Sequence, residues 1–206
     1  MSERTTEFGP LTIAYDGEVL EPRPWTLAQS QWAIELSSSL PAGPVLELCA
    51  GVGHIGLVVA HETGRPIVQV DTEPRACALA RRNAATAGVA ADVRCTDLEQ
   101  AVGEHERFPL VLADPPYVPA DRVDSLPEDP DDAIDGGPDG LDVVRRCLRV
   151  AARHLDGHGR VVLQVGGAGQ SAVVGHEAGS YGLEAIETQL HGEDRALVLL
   201  RVQPFG

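Results

Sequence analysis

Asp114-Pro115-Pro116-Tyr117 follows directly on the apolar run Phe108-Pro109-Leu110-Val111-Leu112-Ala113. Such a run reads as a buried strand, and the two prolines beyond it fix φ and stiffen the turn. One carboxylate and one phenol are thereby held at the strand's mouth. The carboxyl ends of parallel strands are where open α/β sheets bind ligands and do chemistry. A second such place lies earlier in the chain, where Val45-Leu46-Glu47-Leu48-Cys49-Ala50-Gly51-Val52-Gly53-His54-Ile55-Gly56 passes from an apolar strand through a glycine-rich turn towards a helix. Gly51 and Gly53 let the backbone turn tightly and approach a ligand closely.

A glycine turn alone can hold a dinucleotide pyrophosphate. Glu47, just before the turn, would repel a pyrophosphate and suits a cationic amino group. The next strand, Ile67-Val68-Gln69-Val70, ends in Asp71, placed to accept hydrogen bonds from ribose hydroxyls. The third, Val93-Arg94-Cys95-Thr96, ends in Asp97, within reach of an adenine amine. Any one of these acids is as well explained as a helix N-cap. Three in order, with no arginine or lysine nearby to hold phosphate, describe S-adenosylmethionine better than a nicotinamide dinucleotide. A dehydrogenase is the rival for the turn, but the third-glycine spacing is missing and no hydride-transfer constellation follows. The candidate cofactor residues are Glu47, Cys49, Gly51, Gly53, Asp71, Thr72, Asp97, Leu98 and Asp114. With the proline-rich tetrapeptide they point to methyl transfer onto a nitrogen, for which Asp114, Pro115 and Tyr117 are the candidate catalytic residues.

These groups need a scaffold. From Pro44 onward short apolar strands alternate with helices: strands at 44–49, 66–71, 91–95, 109–113, 159–165, 183–188 and 195–202, and helices at 54–62, 74–87, 140–155 and 169–178. The alternation implies βαβ units, hence an α/β Rossmann-like fold. Its sheet is mainly parallel and seven-stranded, with an antiparallel C-terminal hairpin and helices on both faces. Before it, Asp16-Gly17 between alternating apolar residues signals a hairpin over 11–20, and residues 26–40 carry helical periodicity. The expected organisation is a hairpin and helix extension at 1–40 and a catalytic domain at 41–206. Residues 120–139 carry eight acids against the single Arg122, and read as a solvated acidic loop or as a lid over the site.

The 206 residues carry a net charge of −15, and all 16 basic residues are arginine. An acidic chain is repelled by nucleic acid unless it bears a concentrated basic stripe. Arg75, Arg81 and Arg82, and then Arg145, Arg146, Arg149 and Arg153, recur at helical spacing and read as solvated helix faces. Four scattered cysteines read as reduced core residues, and seven scattered histidines make a metal site improbable. With no secretory core and no long apolar span, the expectation is a cytoplasmic protein with no membrane partner.

Four segments in order resemble the release-factor glutamine-N5 methyltransferases, a branch of the class I S-adenosylmethionine-dependent enzymes. Val19-Leu20-Glu21-Pro22-Arg23-Pro24 is similar to their V-L-I-P-R-P, and Asp114-Pro115-Pro116-Tyr117 stands where they have N-P-P-Y. Residues 133–142 are similar to A-L-D-G-G-x-D-G-L-D, with Ile134 at the first leucine, and Gly192-Glu193-Asp194-Arg195 resembles a closing G-x-D-R. The resemblance implies a protein glutamine amide as substrate. Asp114 and the Pro115 carbonyl would hold the target nitrogen, Pro116 and Tyr117 would wall the substrate, and Arg23 is a candidate for holding it. Three departures stand out. Cys49 occupies the loop's first glycine position, which is tolerable if its φ stays negative. Trp25-Thr26 replaces E-T, and Asp114 replaces the asparagine. The family's N-terminal helical domain, which grips the release factor, is expected to be missing.

A carboxylate only accepts hydrogen bonds, whereas asparagine also donates to a substrate carbonyl, so Asp114 weakens the match to an amide. D-P-P-Y is also the form in enzymes that methylate exocyclic amines of adenine and guanine. A small amine metabolite or a nucleobase is therefore an alternative substrate, the nucleobase disfavoured by charge. A non-catalytic binding subunit is the alternative of a different class.

Overall fold

The computed structural model describes residues 3–204. Seven strands form one sheet: β3 (Val45–Leu48), β4 (Ile67–Asp71), β5 (Ala91–Cys95), β6 (Phe108–Ala113), β7 (Leu155–Val165), β8 (Leu183–Leu190) and β9 (Ala196–Val202). Their spatial order is β5-β4-β3-β6-β7-β9-β8, with β9 alone running against the others. The chain runs outward from β3 through β4 to β5, then returns to lay β6 on the other side of β3. A crevice at such a reversal lies outside the strand ends, which is where ligands bind in open α/β sheets.

Helices cover both faces: α1 (Leu27–Ser37), α2 (His54–Thr63) and α3 (Pro74–Ala87) on one, α5 (Asp142–His154) and α6 (Gly167–Glu177) on the other, with a short α4 (Asp131–Ile134) at the mouth. Each face has its own apolar core. β3 shows how one strand serves both: Leu46 and Leu48 pack with α5, whereas Val45 packs with α1 and α2, as the two-residue side-chain period requires. β3 and β6 are buried along their whole length, so their sequences read as continuous apolar runs rather than alternating ones. α3 starts where Pro74 follows the Glu73 cap and stops at Gly88, in the left-handed region.

The N-terminal hairpin differs from expectation. Its strands are β1 (Arg4–Phe8) and β2 (Leu11–Tyr15), joined at Gly9-Pro10. Asp16-Gly17 ends β2 instead of turning it, because Asp16 is buried, accepts from the Glu18 amide and takes the Arg75 guanidinium. The cysteines are free among the described residues, but Cys95 is exposed rather than in the core. The arginines of α5 are ion-paired rather than simply solvated: Arg145 joins Asp139 to Glu177, and Arg149 meets Glu99.

Asn83 on α3 braces the hairpin to the glycine turn. Fully buried, it accepts from the Ala14 amide at 2.9 Å and donates to the Ala14 and Val52 carbonyls, each at 3.0 Å. Truncation would strand three main-chain groups, each costing about 1–3 kcal/mol if left unpaired. We expect Asn83→Ala to lose about 3 kcal/mol in urea unfolding at unchanged m-value. A loss below about 1 kcal/mol would show that the brace carries little.

Candidate active site

Leu48 of β3 lies opposite Ala113 of β6, so the next residues, Cys49 and Asp114, leave the sheet side by side. Gln29 of α1 secures this edge from below, donating to the carbonyls of Ala113 (3.0 Å) and Val162 (2.9 Å). Above the strand ends lies a cleft of about 490 Å³. Of the residues singled out from sequence, Arg23, Cys49, Gly51, Asp71, Thr72, Leu98, Asp114 and Pro116 line it. Glu47, Gly53, Asp97, Pro115 and Tyr117 are not on its lining.

Cys49 has φ +57°, the only non-glycine residue with positive φ among those described. The expectation of negative φ is overturned: the turn demands the left-handed conformation, which a side chain tolerates poorly. Its thiol sits 3.9 Å from that of Cys147 on α5, and that contact with burial pushes its pKa well up, leaving it unreactive. The Gly51 amide donates to Asp71 (2.7 Å), whose other oxygen accepts from the Glu73 amide (2.9 Å). Gly53 serves packing rather than the ligand. It has φ +83°, and a Cβ there would fall 2.6 Å from Nε2 of Gln69.

Glu47 is a correction. It shares the face of Val45, so its carboxyl points under α2, where it accepts from the Gly56 amide (2.9 Å) and from Gln69 Nε2 (2.6 Å). Gln69 is its cross-strand neighbour on β4 and also donates to the Gly53 carbonyl at 2.9 Å. Burial pushes Glu47 up to about 8, so at neutral pH it is an uncharged peg of the turn, not a counter-ion. Asp97 is the second correction. Arg146 of α5 holds its carboxylate below the usual range, while its neighbours Thr96 and Leu98 face the cleft. Arg23 reaches the cleft, but its guanidinium is ion-paired to Asp129 of the acidic segment. Residues Pro130, Asp132 and Ala133 of that segment form part of the cleft wall.

Asp114 has no hydrogen-bond partner among the described residues, and burial raises its pKa to about 7. Tyr117 lies against Gly166, and burial, aided by Asp114, pushes its phenol up to about 12. His54 was missed. It lines the cleft at the start of α2, with its ring edge-on to Phe8. The Thr26 hydroxyl donates to the Arg23 carbonyl and so accepts from Nε2 of His54 at 3.3 Å. Nδ1 has no partner, and burial drops the pKa to about 3, keeping the ring neutral. A histidine directly after a G-x-G turn was the available signal.

If Glu47 is a structural peg, Glu47→Gln should leave S-adenosylmethionine affinity within about twofold in calorimetry. The raised carboxyl makes wild-type stability decline as pH climbs from its unfolded value towards about 8, and the amide should flatten that decline. A tenfold loss of affinity would restore Glu47 to the ligand.

A sequence profile described as methyltransferase small domain matches residues 31–126. The chain is 36% identical over 189 residues to the release factor glutamine methyltransferase of Cereibacter sphaeroides, covering 86% of this chain and 65% of that one. It is 30% identical over 203 residues to the enzyme of the same name from Moorella thermoacetica, covering 95% and 72%. The chain thus spans just under two thirds of the length of the first relative. Among solved structures, a methyltransferase from Pyrococcus furiosus superposes with a TM-score of 0.71 at 18% identity, covering 95% of this chain and 91% of that one, which establishes the fold. The length and identity of the Moorella match carry the assignment further: the chain belongs to the release factor glutamine methyltransferase family.

Proposed function

We propose that this protein is an S-adenosylmethionine-dependent N-methyltransferase whose substrate is the side-chain amide of a protein glutamine, in a peptide release factor. The observation that carries this reading is the unpartnered Asp114 carboxyl beside the glycine turn, at the mouth of the strand next to the cofactor cleft. The names of the relatives support the substrate, and a net charge of −15 favours a protein over a phosphate backbone.

The cleft residues fit the cofactor. Asp71 keeps unused lone pairs on both oxygens for ribose hydroxyls, Leu98 and Val143 offer an apolar slot for an adenine, and the Gly51 backbone lies open. When bound, the cofactor supplies a methyl group activated on a sulfonium. The protein's share is positioning. Asp114 and the Pro115 carbonyl each accept one hydrogen of the target NH₂, which turns the nitrogen lone pair towards the methyl carbon. A cofactor held along Gly51, Asp71 and Leu98 would supply the methyl group to that nitrogen and leave as the neutral thioether, and the proton the nitrogen gives up would pass to solvent on product release. The strap of residues 129–133 and the apolar walls keep water from the reacting atoms.

Labelled S-adenosylmethionine incubated with a release factor should place a methyl on the glutamine of its Gly-Gly-Gln loop, located by mass spectrometry. Asp114→Ala should reduce transfer at least about a hundredfold while retaining cofactor binding. Asp71→Ala should instead weaken cofactor binding about tenfold or more, the value of a charge-assisted hydrogen bond. Methyl found on a small amine or a nucleobase, and none on glutamine, would refute the substrate assignment.

A further inference from the structure

Six aspartates in this fold make the same local side-chain turn. Asp16, Asp71, Asp97, Asp135, Asp139 and Asp156 each accept a hydrogen bond from the amide two residues on. Asp114 is followed by Pro115 and Pro116, neither of which has an N–H to give. The side-chain turn that the other six make is chemically impossible for it. No guanidinium bonds Asp114 in place of the missing amide: Arg23 and Arg146 reach the cleft but are ion-paired to Asp129 and Asp97, and Arg195, whose charge is felt at Tyr117, pairs with Asp194 and lies over Trp25.

The remaining groups that face Asp114 bring it no cation, and burial alone raises its carboxyl. Glu47 and Cys49 on β3 and its turn, Asp71 on β4 and Tyr117 on its own loop are neutral or acidic. His54 on α2 is uncharged. Glu18, Glu21, Glu73 and Asp132 add negative charge along the cleft walls.

We infer that Asp114 works as the neutral carboxylic acid, its hydroxyl donating to the carbonyl of the substrate amide and its carbonyl oxygen accepting from the amide nitrogen. This rests on the glutamine reading above and deepens it. A protonated acid presents one donor and one acceptor, the same pair that an asparagine amide presents. The departure from the family's asparagine is thus a replacement in kind, and the site prefers a primary amide, which carries the complementary pair, over an amine, which lacks the acceptor. The burial-raised pKa of about 7 is consistent with this geometry.

The proton is read directly by carboxyl ¹³C NMR of the full chain labelled at aspartate, the Asp114 resonance being the one absent from Asp114→Asn. A titration midpoint near 7 is expected, and a midpoint below about 5, the ordinary carboxylate range, would overturn the inference. In parallel, methyl transfer to the release factor is measured between about pH 6 and pH 8. The neutral fraction falls about tenfold over that interval, so the wild-type rate should fall about tenfold while that of Asp114→Asn changes less than about twofold. A wild-type rate that holds or rises would overturn the inference while leaving glutamine methylation standing. A midpoint near 7 with no methyl on glutamine would instead sink the substrate reading, and the amide pairing with it.

Discussion

The parallel register between β3 and β6 decides where this protein can hold a ligand. Leu48 opposite Ala113 brings two turns of unlike chemistry to one point: a backbone-rich loop that approaches a ligand closely, and a proline-stiffened loop that carries a carboxyl. A register one residue out would send one of them to the other face of the sheet. Much of the remaining fold maintains this alignment. Gln29 ties off the carbonyl of Ala113 from α1, and the helices on both sides bury the two strands completely.

Beneath the glycine turn lies a buried polar knot. Glu47, Gln69, the Gly53 carbonyl and the Gly56 amide hydrogen-bond one another, and only Oε1 of Gln69 is left without a partner. Small residues are essential to it, since a Cβ on Gly56 would lie 2.4 Å from the Glu47 carboxyl and from Ile67. Such networks rigidify when complete and are costly when broken. The turn is therefore shaped from behind, and the face offered to a ligand is mostly main chain. Arginine does comparable work at the periphery. Arg65 alone reaches the carbonyls of Ser37, Leu40, Pro41 and Gly43, closing the C-terminal end of α1.

The sheet and its helices were legible because buried strands and capped helices leave local marks: the Val45–Leu48 and Phe108–Ala113 runs, the Glu73-Pro74 start, the Gly88 stop. Asp71, Thr72, Leu98 and Asp114 come together on one cleft for the same reason, since strand ends in such a sheet share one rim. What failed depended on direction or on distant partners. Glu47 follows an apolar strand into a turn, yet its parity with Val45 aims it beneath α2 rather than at the cleft. The partners of Asp97 and of Arg23, Arg146 and Asp129, lie far along the chain, so no local signal announced either ion pair. The hairpin turn was misplaced because Asp16-Gly17 looks the same whether it joins two strands or caps one.

The Asn83 brace means that the hairpin, although outside the main sheet, is not an appendage. The Ala14 amide cannot exchange its hydrogen without leaving Oδ1 of Asn83, and the same side chain holds the carbonyl of Val52 in the turn through Nδ2. Strand β2 and the glycine turn thus share one buried side chain, the kind of link that joins segments into one unit of local unfolding. A ligand seated on the turn therefore slows amide exchange in a strand it never touches.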